Sequence, residues 1–194
     1  VLSRLLTKTG FKVTKEYYIN DLGNQIENLY QTLKIHIENK VNNTKKILKE
    51  GMYLGDYLKS VAVQLIKENI DLNNLMQAKE KIVEKILDLI KEDLKKLGIT
   101  FDSFVSEKAI HDKGILDQVL ALLDKKNLIY EGTLEEPKGK KNINWMPEKQ
   151  LIFKSSYFGD SVDRAIKKKN GEWTYFASDI AYHYNKVERG FDEI

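Results

Sequence analysis

Residues 11–29, FKVTKEYYINDLGNQIENL, change character twice. FKVTKEYYI (11–19) alternates and is rich in β-branched and aromatic residues, which predicts a strand. NDLG (20–23) is turn chemistry, because Asn and Asp bond nearby backbone and Gly accepts positive φ. From Asn24 the period changes. Ile26, Leu29, Leu33 and Ile37 fall on one stripe, which predicts a helix to about Val41. A strand that ends in Asn-Asp-x-Gly before a helix makes an α/β corner. Ligands of open α/β sheets lie beyond the carboxyl ends of the strands, where the amides of the next helix point. Asn20, Asp21 and Gln25 stand at that corner. An ordinary turn in which Asn20 and Asp21 satisfy the local backbone fits the same residues.

The rest of the chain extends the α/β reading. Val1, Leu2, Leu5 and Leu6 follow helical spacing up to Gly10, so the chain starts inside a helix and reads as a piece of something longer. Residues 41–51 are a polar connection, and 55–69 form a helix with Asp56 near its start. The strongest period runs through 74–97, where Ile82, Val83, Ile86, Leu87, Ile90, Leu94 and Leu97 share a face and Gly98 stops the helix. Strands are expected at 101–107, 128–134 and 150–156, with a helix at 113–127 before the second of them. Residues 137–147 form a Gly/Lys/Asn-rich loop around Trp145. Two further strands in 163–176 are joined by a Lys-Asn-Gly turn. A last helix is expected from Ser178, a good N-cap, to about Glu188. The fold class is mixed α/β, with a long helical block between two strand-containing ends.

Composition bounds the function. The chain has 194 residues, 42% apolar and 31% charged, which suits a folded globular protein. It has no cysteine, so disulfides and cysteine-bound zinc are excluded. Its three histidines, His36, His111 and His183, lack metal-site spacing, and no metal is expected in the chain. No apolar run approaches the ~20 residues that span a bilayer, and no signal-peptide pattern is present. A net charge of +3 does not by itself mark a nucleic-acid binder. Lysine clusters at 138–141 and 167–169 read as solvated loops.

WTYFASDIAYHYNK (173–186) crowds aromatic rings around one acid. On a helix, Tyr175 and Asp179 share a face one turn apart. A carboxylate beside a phenol can receive a planar cation such as a guanidinium. Alternatively, Tyr175 lies in the core and Asp179 sits in the first helical turn for the dipole alone. FGDSVDR (158–164) offers Asp160, Asp163 and Arg164, either as a salt-bridge corner or as part of a site. No phosphate-cradling GxxxxGK[ST], nucleophile elbow or catalytic triad is present.

Six blocks in order resemble one family: GFKVTKEYYINDLGNQ, GDYL, FDSFVSEKAIHDKG, LIYEGTLEEPKGK, LIFKSSYFGDSVDR and NGEWTYFASDIAYHYNKVERGFD. Together they are similar to the bacterial arginyl-tRNA synthetases, which are class I aminoacyl-tRNA synthetases. The resemblance implies a Rossmann-like nucleotide-binding catalytic core interrupted by a mixed helical and strand connective insertion. Residues 1–25 would belong to the first half, 26–170 to the insertion and 171–194 to the second half. Such enzymes join arginine to ATP with Mg2+, usually with the tRNA already bound, and pass the arginyl group to that tRNA. A family Tyr-x-x-x-Asp pair around the substrate guanidinium maps onto Tyr175 and Asp179. Asn20, Asp21, Gln25 and His183 would stand at the pocket rim. An asparagine that some members use for the substrate amino group falls at Tyr17 here. The family's HIGH and KMSKS motifs and its anticodon-binding helices are absent, so this stretch alone is expected to be an inactive fragment with no catalytic residue and no bound cofactor. The resemblance implies a cytoplasmic, monomeric parent ligase without membrane attachment. Two other readings remain: a helical adaptor that presents 74–97 or 113–127 to a partner, and a class I synthetase for another amino acid.

Overall fold

The structure is a computed structural model that describes residues 1–134, 149–168 and 170–194. The 138–141 lysine cluster, the loop around Trp145 and Lys169 lie outside the described residues. The chain divides into two compact units, Val1–Ser106 and Glu107–Ile194.

The first unit contains α1 (Leu2–Lys8), β1 (Glu16–Ile19), α2 (Asn24–Val41), α3 (Tyr57–Lys67), α4 (Leu75–Lys96) and β2 (Ser103–Ser106). Gly23 turns the chain from β1 into α2 at φ +83°, in the left-handed region that favours glycine. The α2 stripe is buried as the period predicts, with Leu29, Leu33 and Ile37 in the core beside Tyr30. They pack with Leu58, Val61 and Leu65 of α3 and Ala78 and Ile82 of α4. Fully burying a side chain such as Leu33 or Leu58 contributes about 1.5–3 kcal/mol. The buried Thr32 hydroxyl is satisfied twice, donating to the Asn28 carbonyl at 2.7 Å and accepting from the Tyr53 amide at 3.2 Å. Asn74 caps α4 by accepting from the Gln77 amide. The α4 stripe is used within this unit, since Ile86 and Leu89 also pack against its core.

The strand expected over 11–19 pairs only through Glu16–Ile19, in parallel with β2, from Glu16 opposite Ser103 to Ile19 opposite Ser106. Ahead of the ladder, the Asp102 carboxylate takes the Lys15 amide at 2.8 Å, so a side chain replaces the next strand bond.

The second unit contains α5 (Glu107–Asp112), α6 (Ile115–Lys125), β3 (Ile129–Gly132), β4 (Gln150–Phe153), β5 (Arg164–Lys167) and α7 (Tyr175–Glu188). Its strands form an antiparallel sheet in the order β3-β4-β5. Ile152 and Ile166 are fully buried in it. Helix α6 buries Ile115, Leu116 and Val119, and α7 packs against α5, α6 and β5. The molecule is therefore mixed α/β with two small sheets. No helix among the described residues is long and apolar enough to cross a membrane.

Three local expectations are corrected. The strand read over 101–107 ends at Ser106, and Glu107 opens the short helix α5, which is too brief to show a period. The second arm of the 163–176 hairpin shrinks to one bridge between Lys167 and Trp173. The last helix starts at Tyr175, not near Ser178. Its N-cap is Thr174, in extended conformation, whose Oγ1 accepts from the Ala177 amide. Thr174 wins because its amide also donates to the Ile166 carbonyl of β5 at 2.9 Å, which fixes the chain just before the helix.

Losing this cap removes helix and interstrand bonds together. Thr174→Ala should destabilise the protein by about 1–2 kcal/mol, whereas Ser178→Ala should change stability by only a few tenths of a kcal/mol. Urea unfolding of both variants checks the assignment.

Candidate functional site

The parallel pairing of β1 and β2 puts the carboxyl ends of both strands at one edge of the first unit. Asn20 and Asp21 follow β1 there. Asn20 Nδ2 donates to Gln25 Oε1 at 3.2 Å, and Ser106 Oγ, at the end of β2, donates to Asp21 Oδ2 at 2.6 Å. The structure thus brings Asn20 to Gln25 and Asp21 to β2, and both polar side chains are engaged by the fold. Tyr17 faces an aromatic cluster, edge-on to Phe101 at 5.3 Å and tilted against Phe104 at 5.7 Å.

Tyr175, Asp179 and His183 belong to the second unit, on successive turns of α7. Four residues advance a helix by about 6 Å, so their side chains line one face. Ala177 and Ala181 are the buried residues of α7. Tyr175 is 74% exposed, so it is not a core tyrosine. Asp179 is exposed and lies beyond the first turn, which contains no acid. The dipole reading therefore does not account for it. Among the described residues Asp179 has neither an ion pair nor a hydrogen bond. The nearby cation Lys186 instead lies over the Tyr182 ring, 4.1 Å from its centroid. His183 is exposed, with its ring 6.0 Å from that of Tyr182. This face presents a carboxylate with two free oxygens beside a phenol. Such a pair accepts hydrogen bonds from a forked cation.

The third candidate is a structural corner. Arg164 grips Asp160 with two bonds, Nε to Oδ2 at 2.8 Å and Nη2 to Oδ1 at 3.1 Å. The Arg164 guanidinium holds the Asp160 carboxyl below the usual carboxylate range. Asp163 accepts from the Ser156 amide at 3.0 Å and from the Tyr130 hydroxyl at 2.9 Å. The Ser156 bonds, then that of Tyr130, depress the Asp163 pKa. Burial, reinforced by Asp163, pushes the Tyr130 phenol up. Sequence reasoning missed Tyr130, because it stands 33 residues from Asp163. It also missed Thr174, whose capping chemistry is shared by Ser178. Among the described residues no three His, Asp or Glu side chains converge to hold a metal ion.

No family model matches the chain. Over its whole length it is 43% identical to the arginine–tRNA ligase of Wolbachia pipientis wMel, of which it covers 35%. It is likewise 43% identical to that of Orientia tsutsugamushi strain Boryong, of which it covers 34%. The chain thus spans about a third of the length of the curated relatives it matches. Among solved structures it is similar to one described as an arginyl-tRNA synthetase from Campylobacter jejuni. That match has a TM-score of 0.78 and 31% identity, over 99% of this chain and 40% of that one. The arginyl-tRNA synthetase of Plasmodium falciparum shares the fold alone, at a TM-score of 0.56 and 18% identity over 96% of this chain and 30% of that one. The resemblance read from the six blocks therefore extends along the whole chain.

The Asp163 lock gives a pH signature. A carboxyl whose folded pKa is depressed contributes stability above its unfolded pKa of about 3.9 and loses it as pH falls through the folded pKa. Asp163→Asn should lower the melting temperature at neutral pH, and the gap to wild type should close in acid. A gap that stays constant between neutral and acid pH would refute the role given to the ionised carboxylate.

Proposed function

We propose that this chain is a segment of an arginine–tRNA ligase and that α7 carries the surface which grips the substrate guanidinium. The observation behind this reading is the pair Tyr175 and Asp179. Both are solvent-facing and unsatisfied on one helix face, in a chain similar throughout to arginine–tRNA ligases. The whole enzyme would activate arginine with ATP and transfer it to tRNA.

Arginine's guanidinium is always charged and offers a rigid fork of donors. The two Asp179 oxygens match that fork, and the Tyr175 hydroxyl can add a third polar contact while its ring flanks the cation. Lysine presents a compact point charge and leaves one Asp179 oxygen short of a partner. An analogue without the positive charge leaves the carboxylate unpaired in the closed pocket, which is how a polar site rejects a near neighbour strongly. His183, on the same face of α7, is assigned to the rim of this surface. The side chains of Asn20 and Asp21, in the first unit, are engaged by the fold there and suit a structural role.

The parallel β1–β2 pair, with helices between its strands, supports a Rossmann-like core. In this reading 1–25 and 171–194 belong to its two halves, and 26–170 is the connective insertion that returns to the edge of β1 through β2. ATP would enter as co-substrate of the whole enzyme. Mg2+ would come with the ATP of the whole enzyme, and no step is routed through that ion.

In an intact ligase that carries this segment, Asp179→Ala should raise the arginine KM by at least about tenfold, as loss of a charged hydrogen-bond partner implies. Tyr175→Phe should have a smaller effect in the same direction. ATP–pyrophosphate exchange with arginine and tRNA reads both. Wild-type kinetics for Asp179→Ala would remove this acid from the site.

A further inference from the structure

Asn170-Gly171 is the one Asn-Gly pair in the chain. It lies in the turn between β5 and α7, and both residues are exposed. The Lys168 amide donates to the Glu172 carbonyl at 2.8 Å, and the Gly171 amide donates to the Lys168 carbonyl at 3.0 Å. Gly171 sits at φ +84°, and no atom lies within 4 Å of the place a Cβ would take. Its backbone nitrogen is therefore screened by no side chain of its own. The Asn170 side chain folds back over this peptide. Its Oδ1 accepts from the Glu172 amide at 3.1 Å, so the carboxamide arches across Gly171. That N–H also polarises the Cγ–Oδ1 bond and favours negative charge on the oxygen.

We infer that Asn170 is a self-modification site, converted through a succinimide to aspartate and isoaspartate, and that the isoaspartyl form loosens the joint between β5 and α7. The Gly171 nitrogen gives its proton to hydroxide and attacks Asn170 Cγ. The N–Cγ bond forms, the Cγ–Nδ2 bond breaks, and Nδ2 takes a proton from water and leaves as ammonia. Water then opens the ring. Attack at Cγ restores the normal chain with an aspartate in place of Asn170. Attack at the backbone carbonyl carbon of residue 170 routes the chain through Cγ and leaves a free α-carboxylate. Water and hydroxide are the only co-reactants. The bond from the Gly171 amide to Lys168 must open first. Exposed turns open at little cost, so this bond slows the step without stopping it.

The position of the turn gives the change its consequence. Just beyond it, Trp173 bridges Lys167 and the Thr174 amide donates to the Ile166 carbonyl at 2.9 Å. Isoaspartate inserts an extra backbone carbon between Lys168 and Glu172, which shifts both contacts against β5. The new carboxylate also competes with Glu172 for the Lys168 ammonium, 3.1 Å away from the Glu172 carboxylate. Thr174 caps α7, so the start of the helix loses its anchor. The inference rests on the chemistry of the turn and stands apart from the arginine reading.

The test ages the 194-residue chain at physiological temperature and mildly alkaline pH. Peptide mapping by mass spectrometry should find a side-chain NH2 exchanged for OH first at residue 170, and ion exchange should show a more acidic species. A protein isoaspartyl methyltransferase with a labelled methyl donor should label the aged chain and not the fresh one. Asn170→Gln, which keeps the amide but closes the ring poorly, should abolish the label. Circular dichroism confirms that the variant folds. The isoaspartyl form should melt roughly 2–4 °C below the fresh protein. Asn170→Asp, which adds the charge without the extra backbone atom, should melt closer to the fresh protein. Conversion spread evenly over the asparagines, a label that survives Asn170→Gln, or an isoaspartyl form that melts with the fresh protein would overturn the inference.

Discussion

One hydroxyl joins the sheet of the second unit to its last helix. Thr174 Oγ1 donates to the carbonyls of Ala165 at 2.8 Å and Ile166 at 3.1 Å, and accepts from the Ala177 amide at 3.3 Å. The end of β5 and the start of α7 therefore share a residue, and the rotation of α7 about its axis is set where it leaves the sheet. Ala177 and Ala181 turn inward, small enough for the helix to approach its neighbours closely. With 3.6 residues per turn, Tyr175, Asp179 and His183 then fall on another face, and all three are exposed. The face proposed to grip the guanidinium follows from this joint.

The chemistry follows from what surrounds that face. Two acids of the same unit are already paired, Asp160 with Arg164 and Glu172 with Lys168. Exposed pairs of this kind contribute little stability, but they remove charge that a ligand could use. Asp179 has no ion-pair partner among the described residues, and Lys186 lies over Tyr182. An acid left open beside a phenol is suited to a forked cation from outside. Similarity to arginine–tRNA ligases along the whole chain names that cation as arginine in the reading advanced here.

The sequence made the long periodic elements legible. The stripes of α2, α4 and α6 each cover several turns, so period alone locates them. The i,i+4 relation of Tyr175 and Asp179 was readable for the same reason, being local. What failed to show depended on distant partners. Both Thr174 and Ser178 can cap a helix, and only the bonds to β5 choose between them. The 11–19 strand looked longer because alternation persists beyond the point where Asp102 replaces the ladder. The engagement of Asp21 by Ser106, and of Asp163 by Tyr130, joins residues far apart in the chain. The openness of Tyr175 was equally hidden, since it is decided by which alanines α7 buries.

The most direct measurement is a crystal structure of the intact ligase with arginine bound. Two guanidinium nitrogens should lie about 2.7–2.9 Å from the two carboxylate oxygens of Asp179, with the Tyr175 ring alongside. A guanidinium held by a different carboxylate, with Asp179 still facing water, would contradict the central claim.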